Sequence, residues 1–335
     1  MYRPFFGLQE RPFDLTPNPK FLVLTEAHEE ALSMLEYGIA SRKGIALLLG
    51  EAGTGKTTLI RAAAARQPDR VHCVHVNNPA LTRTEFVEML AHHFALSNAA
   101  QSSKSTLLCE LEELLTRRHS RGEATVLIID EAQRLAFELL EEVRLLANVE
   151  TDEVKLLSVV LAGQPELASR LNDESLRQLK QRIALRCELR PLTQTETFAY
   201  VAGRVRAAGG IGGHVFTREA VVLLHQWSRG IPRIISVIAD NALLTAFALG
   251  KKPVTAAVVE EVCRDLDLRS PDRATRQEPP KEPVLPATAP RDPDRLLAFD
   301  TAPVDQAESA AEAAADTEHG AAAVNPRKRR RFAFF

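Results

Sequence analysis

Cysteine is scarce in this chain of 335 residues: Cys73, Cys109, Cys187 and Cys263 are scattered, and no two have CxxC spacing. That pattern excludes a disulfide framework and a structural zinc site, and it suits a reducing compartment. Surplus charge is missing as well. Lys+Arg total 42 against 44 Asp+Glu, a formal net charge of -2, which excludes a uniformly basic nucleic-acid binder but not a local basic patch. No apolar run approaches the ~20 residues of a membrane helix, and stretches such as Leu156–Ala162 stop at the length of one strand. The opening MYRPFFGLQERPFD has no apolar core of signal-peptide length. No repeat of solenoid period is present. What is there is the usual soluble mix, 45% apolar and 26% charged, with length for two folded units or one plus extensions.

Composition changes near residue 270. Residues 271–335 hold 9 of the 19 prolines, and Ala307–Ala323 is mostly Ala and Glu. So few large apolar residues cannot offset the entropy of ordering, and 269–335 is expected to be disordered, ending in the basic-aromatic run Arg327–Phe335. Before it, strand and helix patterns alternate. Helices are expected over Glu26–Ser41, Thr57–Ala65, Thr84–Leu96, Ser105–Arg118 and Glu131–Asn148. Strands are expected over Gly44–Leu49, Val71–Val76, Thr125–Ile129, Lys155–Leu161 and Ala184–Leu189. Short apolar strands separated by helices imply an α/β fold, a parallel sheet covered on both faces. From about Leu192 to Leu268 the pattern is wholly helical. The expected division is a strap and first helix over 1–42, an α/β unit over 43–191, a helical lid over 192–268 and the tail over 269–335.

Gly50-Glu51-Ala52-Gly53-Thr54-Gly55-Lys56-Thr57 fits G-x-x-x-x-G-K-[ST], with an apolar strand before it and a helix after it. The glycines let successive amides turn inward onto phosphate oxygens, and the helix start adds its positive dipole end. Lys56 is expected to reach the β/γ-phosphates, Thr57 to hold Mg²⁺ through its hydroxyl, and Thr58 to add a contact near the α-phosphate. The expected ligands are therefore ATP and Mg²⁺. The bland alternative is a glycine-rich turn with no ligand.

Val126-Leu127-Ile128-Ile129-Asp130-Glu131 puts two carboxylates at a strand end, where open α/β sheets bind ligands. Asp130 suits Mg²⁺, directly or through water, and Glu131 suits activation of the attacking water. Taken alone, the pair could be two solvated acids; beside a phosphate loop it supplies the acidic metal partner that the loop requires. The second acid argues for hydrolysis rather than nucleotide sensing. Gln164, closing the strand Val159–Gly163, could orient the water or could simply be a turn residue before Pro165. Arg182, between a helix end and the last strand, could complete a neighbour's site as an arginine finger, with Arg186 and Arg190 as competitors. Arg233 follows the turn Gly230-Ile231-Pro232 and could report the γ-phosphate to the helical lid.

In this order, the elements Gly50–Thr57, Asp130-Glu131, Gln164, Arg182 and Arg233 resemble an AAA+ ATPase, with matching spacing over residues 1–268. More narrowly, the chain resembles the general secretion pathway A-type (ExeA-like) ATPases, including those beside exopolysaccharide and exosortase loci. The residues carrying this are Tyr2–Leu8, Pro12-Phe13, Thr16-Pro17, His28-Glu29, Ala31-Leu32, Tyr37–Ile39, Gly50–Thr58, Asp130–Gln133, Ala162–Leu167, Gln181–Ile183 and Gly230–Arg233. The resemblance implies Mg-dependent ATP hydrolysis by a homo-oligomer with sites completed in trans. It also implies an envelope-biogenesis partner and an N-terminal block lying across the adenine, with Phe5, Phe6 and Gly7 near the base.

The departure is at the C-terminus. Relatives that work on the cell wall continue into a membrane helix and a peptidoglycan-binding module, whereas this sequence has neither, which puts a direct cell-wall role in question; the cysteine usage leads us to expect a cytoplasmic protein. Arg327–Phe335 could touch an anionic inner-membrane face at ~1 kcal/mol per basic residue. Two other functions remain open. One is a DNA-handling ATPase of the TnsC or IstB type, disfavoured because Arg61, Arg66, Arg70, Arg83 and Arg117-Arg118 are dispersed among acids. The other is a low-turnover nucleotide switch, disfavoured by Glu131.

Overall fold

The computed structural model of the chain describes residues 1–16, 19–21, 23–77 and 80–268. The tail and its basic-aromatic end, expected over 269–335, lie outside the described residues. In chain order the helices are α1 (Tyr2–Phe6), α2 (Glu26–Ser41), α3 (Lys56–Ala65), α4 (Arg83–His93), α5 (Asn98–Ser102), α6 (Lys104–Ser120), α7 (Phe137–Leu146), α8 (Pro165–Leu171) and α9 (Arg177–Gln181). They continue with α10 (Gln194–Ala207), α11 (Gly212–Val215), α12 (Arg218–Ser228), α13 (Pro232–Ala248) and α14 (Ala256–Asp265). The strands are β1 (Ile45–Gly50), β2 (Val71–Val76), β3 (Ala124–Ile129), β4 (Leu157–Gly163) and β5 (Ile183–Leu189).

The strands form one parallel sheet in the order β2-β3-β4-β1-β5. The three central strands are almost wholly apolar, with Thr125 and Ser158 the polar exceptions, because both faces are covered. Leu47, Leu49, Leu127, Ile129, Val159 and Leu161 join one core with α4 to α7, while the alternate residues Ala46, Leu48, Val126, Ile128, Val160 and Ala162 join a second core with α2 and α3. β5 is an edge strand. Its Ile183, Leu185 and Cys187 are half-buried, whereas Ala184, Arg186 and Glu188 are exposed.

Register decides what meets at the carboxyl edge. Leu49 pairs with Gly163 and Leu161 with Ile129, so Gly50, Gln164 and Asp130 emerge side by side from β1, β4 and β3. Three stretches far apart in sequence are thereby brought to one rim, the ligand-binding edge of open α/β sheets.

Two expected helices are shorter in the structure. The continuous helix over Glu131–Asn148 does not form. Glu131 takes a left-handed backbone (φ 56), Ala132–Arg134 makes a 3-10 turn, and α7 starts only at Phe137. A side chain in that conformation cannot continue a right-handed helix. Likewise α4 ends at His93 instead of Leu96, and Ala95 turns the chain with φ 52.

Helices α10 to α14 enclose a separate core around Val205, Leu224, Ile235, Ala239, Leu243 and Val259. The N-terminal segment belongs to this core. Tyr2, Phe6, Leu8, Phe13 and Phe21 are buried in it, with edge-to-face ring pairs Phe5–Phe247 at 5.6 Å and Phe13–Phe216 at 5.8 Å. The Tyr2 hydroxyl donates to the Asp240 carboxylate, and the Lys252 ammonium donates to the Phe5 carbonyl at 3.2 Å. Among the described residues no helix is long and apolar enough to cross a membrane.

The helical layer is tied to the end of the sheet by one turn. Leu192 N–H donates to Gly230 O at 2.8 Å, and Gly230 has φ 75. A Cβ there would lie 2.0 Å from the Leu192 carbonyl oxygen. We expect Gly230→Ala to lower the urea midpoint well beyond the ~1–2 kcal/mol of left-handed strain alone, because the Leu192 backbone must also move. Gly122→Ala is the control: its φ is 74, with nothing within 4 Å of the new methyl. Equal losses in the two variants would mean that the Leu192–Gly230 contact does not hold the layers in register.

Candidate functional site

β1 ends at Gly50, and the chain turns through Glu51–Gly55 into α3. Gly53 and Gly55 take φ 86 and φ 104, which side chains resist. Thr54 is buried, and its hydroxyl donates to the Glu51 carbonyl at 2.9 Å, bracing the loop from within. Glu51 and Ala52 are exposed, and Gly53, Gly55, Thr57 and Thr58 are half-buried. Lys56 is only 4% exposed. Its ammonium donates to Gly50 O at 2.7 Å and Glu51 O at 3.0 Å. Burial lowers its pKa, and the nearby carboxylates of Glu131, Asp130, Glu51 and Glu166 oppose that shift.

The acidic pair sits across from this loop. Thr57 Oγ1 donates to Asp130 Oδ2 at 2.5 Å, which joins the first turn of α3 to the end of β3. Asp130 Oδ1 accepts the Glu131 N–H at 2.9 Å, consistent with the turn that Glu131 makes there. Glu131 Oε2 then accepts from two side-chain amides, Gln133 Nε2 at 2.7 Å and Gln164 Nε2 at 3.3 Å. Gln133 closes the network. Its Oε1 accepts the Gln164 N–H at 3.1 Å, and its carbonyl accepts from the Arg170 guanidinium at 2.6 Å. Glu131 and Gln164, each singled out in the sequence, therefore share one hydrogen-bonded frame. Gln133, not among the expected site residues, is the member that links them.

A cleft of about 330 Å³ opens between the phosphate-type loop and the helical layer. Gly53–Thr58 and Glu131 line one side, and Tyr200, Arg204, Pro232, Arg233 and Ser236 line the other. Arg233 lies against the loop: its N–H donates to Gly53 O at 3.2 Å, and a Cβ on Gly53 would stand 2.7 Å from Arg233 Cβ. Arg204 donates to the carbonyls of Pro12 at 2.5 Å and Asp14 at 3.1 Å and to the Tyr200 hydroxyl at 2.7 Å. Its guanidinium also lies over the rings of Phe13, Phe21 and Tyr200 at 5.4–5.9 Å, a cation–π contact.

The N-terminal segment does reach the cleft, but not through the residues expected. Phe5, Phe6 and Gly7 do not line it. Phe5 and Phe6 pack into the helical core, and Gly7 forms the left-handed end of α1. Asp14–Thr16, Phe21, Val23 and His28 line the cleft instead. Arg204 explains the difference, because by gripping Pro12 and Asp14 it fixes the following residues at the cleft mouth. The sequence marks this segment only by aromatics among turn residues, which do not say which ring faces a ligand.

Arg182 is exposed at the end of α9, with its carbonyl beside Gly44 at the opposite, amino edge of the sheet. A six-residue strand, roughly 20 Å, separates that edge from Gly50, so Arg182 does not enter its own cleft. Arg186 and Arg190 are exposed too, with loose ion pairs to Glu188 at 3.9 Å and Glu196 at 3.8 Å.

The donor set fits a magnesium–triphosphate ligand. A buried ammonium, a loop of amides at a helix start, and a hydroxyl paired with a carboxylate supply a cation, N–H donors and hard oxygen ligands at one rim. Comparison with known proteins agrees with the fold. Residues 39–171 match the AAA domain family. The chain is 42% identical over 254 residues to general secretion pathway protein A of Aeromonas hydrophila, which covers 76% of this chain and 46% of that protein. It thus spans about half the length of the curated relative it matches. Among solved structures, the Aeropyrum pernix ORC2 protein superposes with a TM-score of 0.58 at 19% identity, covering 77% of this chain and 72% of that one. Cdc6p from Pyrobaculum aerophilum gives 0.57 at 18%, covering 76% and 70%, and Drosophila ORC bound to DNA gives 0.56 at 22%, covering 80% and 67%. At these identities the structural likeness speaks for the fold alone. The chain thus carries an AAA domain over residues 39–171 and has the P-loop NTPase fold, and over three quarters of its length it is similar to general secretion pathway protein A.

Proposed function

We propose that this chain is a Mg²⁺-dependent ATPase that works as a homo-oligomer in envelope biogenesis, in secretion or the export of polysaccharide. The observation that carries the reading is the meeting of Lys56, the Thr57–Asp130 pair and the Glu131–Gln133–Gln164 frame at one rim. The envelope assignment rests on the likeness to general secretion pathway protein A.

The loop amides and Lys56 would hold the β- and γ-phosphates. The Lys56 ammonium is already desolvated and bonded to two neutral carbonyls, so exchanging them for anionic oxygens gains the stronger, charge-assisted bond. Thr57 and Asp130 would hold Mg²⁺, which neutralises charge on the transferring group. Glu131 orients and deprotonates the attacking water, and Gln133 and Gln164 keep its carboxylate in place. Arg233 touches the loop directly and relays its state to the helical layer. Arg182, a strand's length from its own cleft, acts in a neighbour's. Adenine then lies against the wall formed by Phe21 and Val23.

Calorimetry with Mg-ATP tests the first step. Lys56→Ala is expected to abolish binding, and an intact wild type with no affinity for adenine nucleotides would end this reading. Glu131→Gln should bind ATP normally and lose about 10²–10⁴-fold in kcat. Gln133→Ala should lose part of that, on the order of tenfold, with KM unchanged.

Activity per subunit should rise with protein concentration. Arg182→Ala should remove about 10³-fold or more of the rate while leaving nucleotide affinity intact. A concentration-independent rate that survives Arg182→Ala would show a self-sufficient monomer.

A further inference from the structure

His28 stands in the first turn of α2, outside both the phosphate loop and the acidic frame, yet it is bonded to the loop. It is 5% exposed. Its Nε2 lies 3.2 Å from the carbonyl oxygen of Thr54, and its Nδ1 lies 2.7 Å from the Thr25 hydroxyl. A carbonyl can only accept, so Nε2 carries the hydrogen and Nδ1 accepts from Thr25. Burial lowers the pKa of the ring, against the opposing pull of the Thr54 carbonyl and the Glu196 carboxylate, which favours the neutral form.

The Thr54–Gly55 peptide is trans, and in a trans peptide the C=O and the following N–H point in opposite directions. By holding the Thr54 carbonyl, His28 therefore turns the Gly55 N–H away from itself. Gly55 is the residue most able to rotate, with φ 104 and a half-buried position just before Lys56. Among the described residues no other group holds that carbonyl: Thr54 N–H and Oγ1 both turn to Glu51 O. The loop is braced internally at Glu51 and externally at His28.

We propose that His28 is a positioning residue for the phosphate loop. Through Nε2–H it locks the Thr54–Gly55 peptide so that the Gly55 amide is presented to nucleotide phosphate, and Thr25 fixes the tautomer that makes this possible. The inference rests on the nucleotide reading above. It differs from a direct contact with base or ribose, which the place of His28 in the cleft lining would also allow.

The two are separated by ligands that differ in their phosphates. Full-length wild type, His28→Leu, His28→Gln and Thr25→Val are compared by competition of ATP, ADP and adenosine against a fluorescent ADP analogue, with steady-state kcat and KM beside them. His28→Leu removes the donor and should weaken ATP and ADP about tenfold or more, leave adenosine within twofold and raise KM far more than it lowers kcat. His28→Gln can place an amide N–H near the Nε2 position and should recover most of the loss. Thr25→Val, which keeps the imidazole but frees its tautomer, should weaken ADP by a few-fold and keeps the proposal testable if His28→Leu does not fold. Equal weakening of adenosine and ADP would replace this role with direct nucleoside contact. Unchanged ADP affinity in folded His28→Leu, or a loss that Gln fails to recover, would overturn the proposal. A wild type that binds no nucleotide at all would instead remove the reading beneath it.

Discussion

A lysine ammonium buried at the end of a parallel sheet is the constraint around which the rest of this structure is arranged. Removing such a cation from water costs several kcal/mol after relaxation, and a chain meets that cost only if acceptors are built around it. Here the nearest are two carbonyls of the same loop, Gly50 and Glu51. Carboxylates from β3 and α8 contribute at longer range. Keeping both carbonyls pointed at Nζ requires a loop that reverses direction within five residues, hence the left-handed backbone at Gly53 and Gly55. It also requires a strand whose end is fixed by neighbours on both sides, which β4 and β5 provide for β1.

The same constraint explains why the acidic residues are tied down rather than free. Asp130 is bonded to Thr57 and to the Glu131 amide, and Glu131 to Gln133 and Gln164. Here one is paired with a hydroxyl at the start of α3, and the other is held by neutral amides. Such a frame fixes the direction of a carboxylate without adding charge.

Much of this was legible in the amino-acid order, for physical reasons. β1, β3 and β4 are buried on both faces, so they appear as mainly apolar runs. Lys56, Thr57 and Asp130 sit at strand and helix ends, which glycine and charge punctuate. Gln133 was hidden because it follows a residue in left-handed backbone, and the apolar periodicity after Asp130 invites a helix that does not form until Phe137. Phe5 and Phe6 misled because aromatic content does not distinguish a ring that packs on a ligand from one that packs on Phe247. His28 and Arg204 were invisible as site residues because their partners are main-chain carbonyls 26 and about 190 residues away, and a carbonyl leaves no trace in sequence.

The placement of those carbonyl contacts bears on how the two layers of the molecule communicate. The phosphate loop is touched from two directions: by His28 at Thr54, and by Arg233 at Gly53. The first contact comes from the sheet's own helix, the second from the helical layer. Adjacent peptides of one loop therefore answer to different bodies, so a rotation of the loop at Gly53 that leaves Thr54 fixed would be felt by α13 without disturbing α2. Arg204 completes the circuit, because it anchors the N-terminal segment to the helical layer while that segment also forms the cleft mouth. Loop and cleft mouth are thus both joined to one body, at α13 and at α10. On the nucleotide reading proposed above, that arrangement would pass a local change at a phosphate to a whole layer without a long chain of intermediates. The shared core of α10, α12, α13 and α14 makes that layer one stiff body.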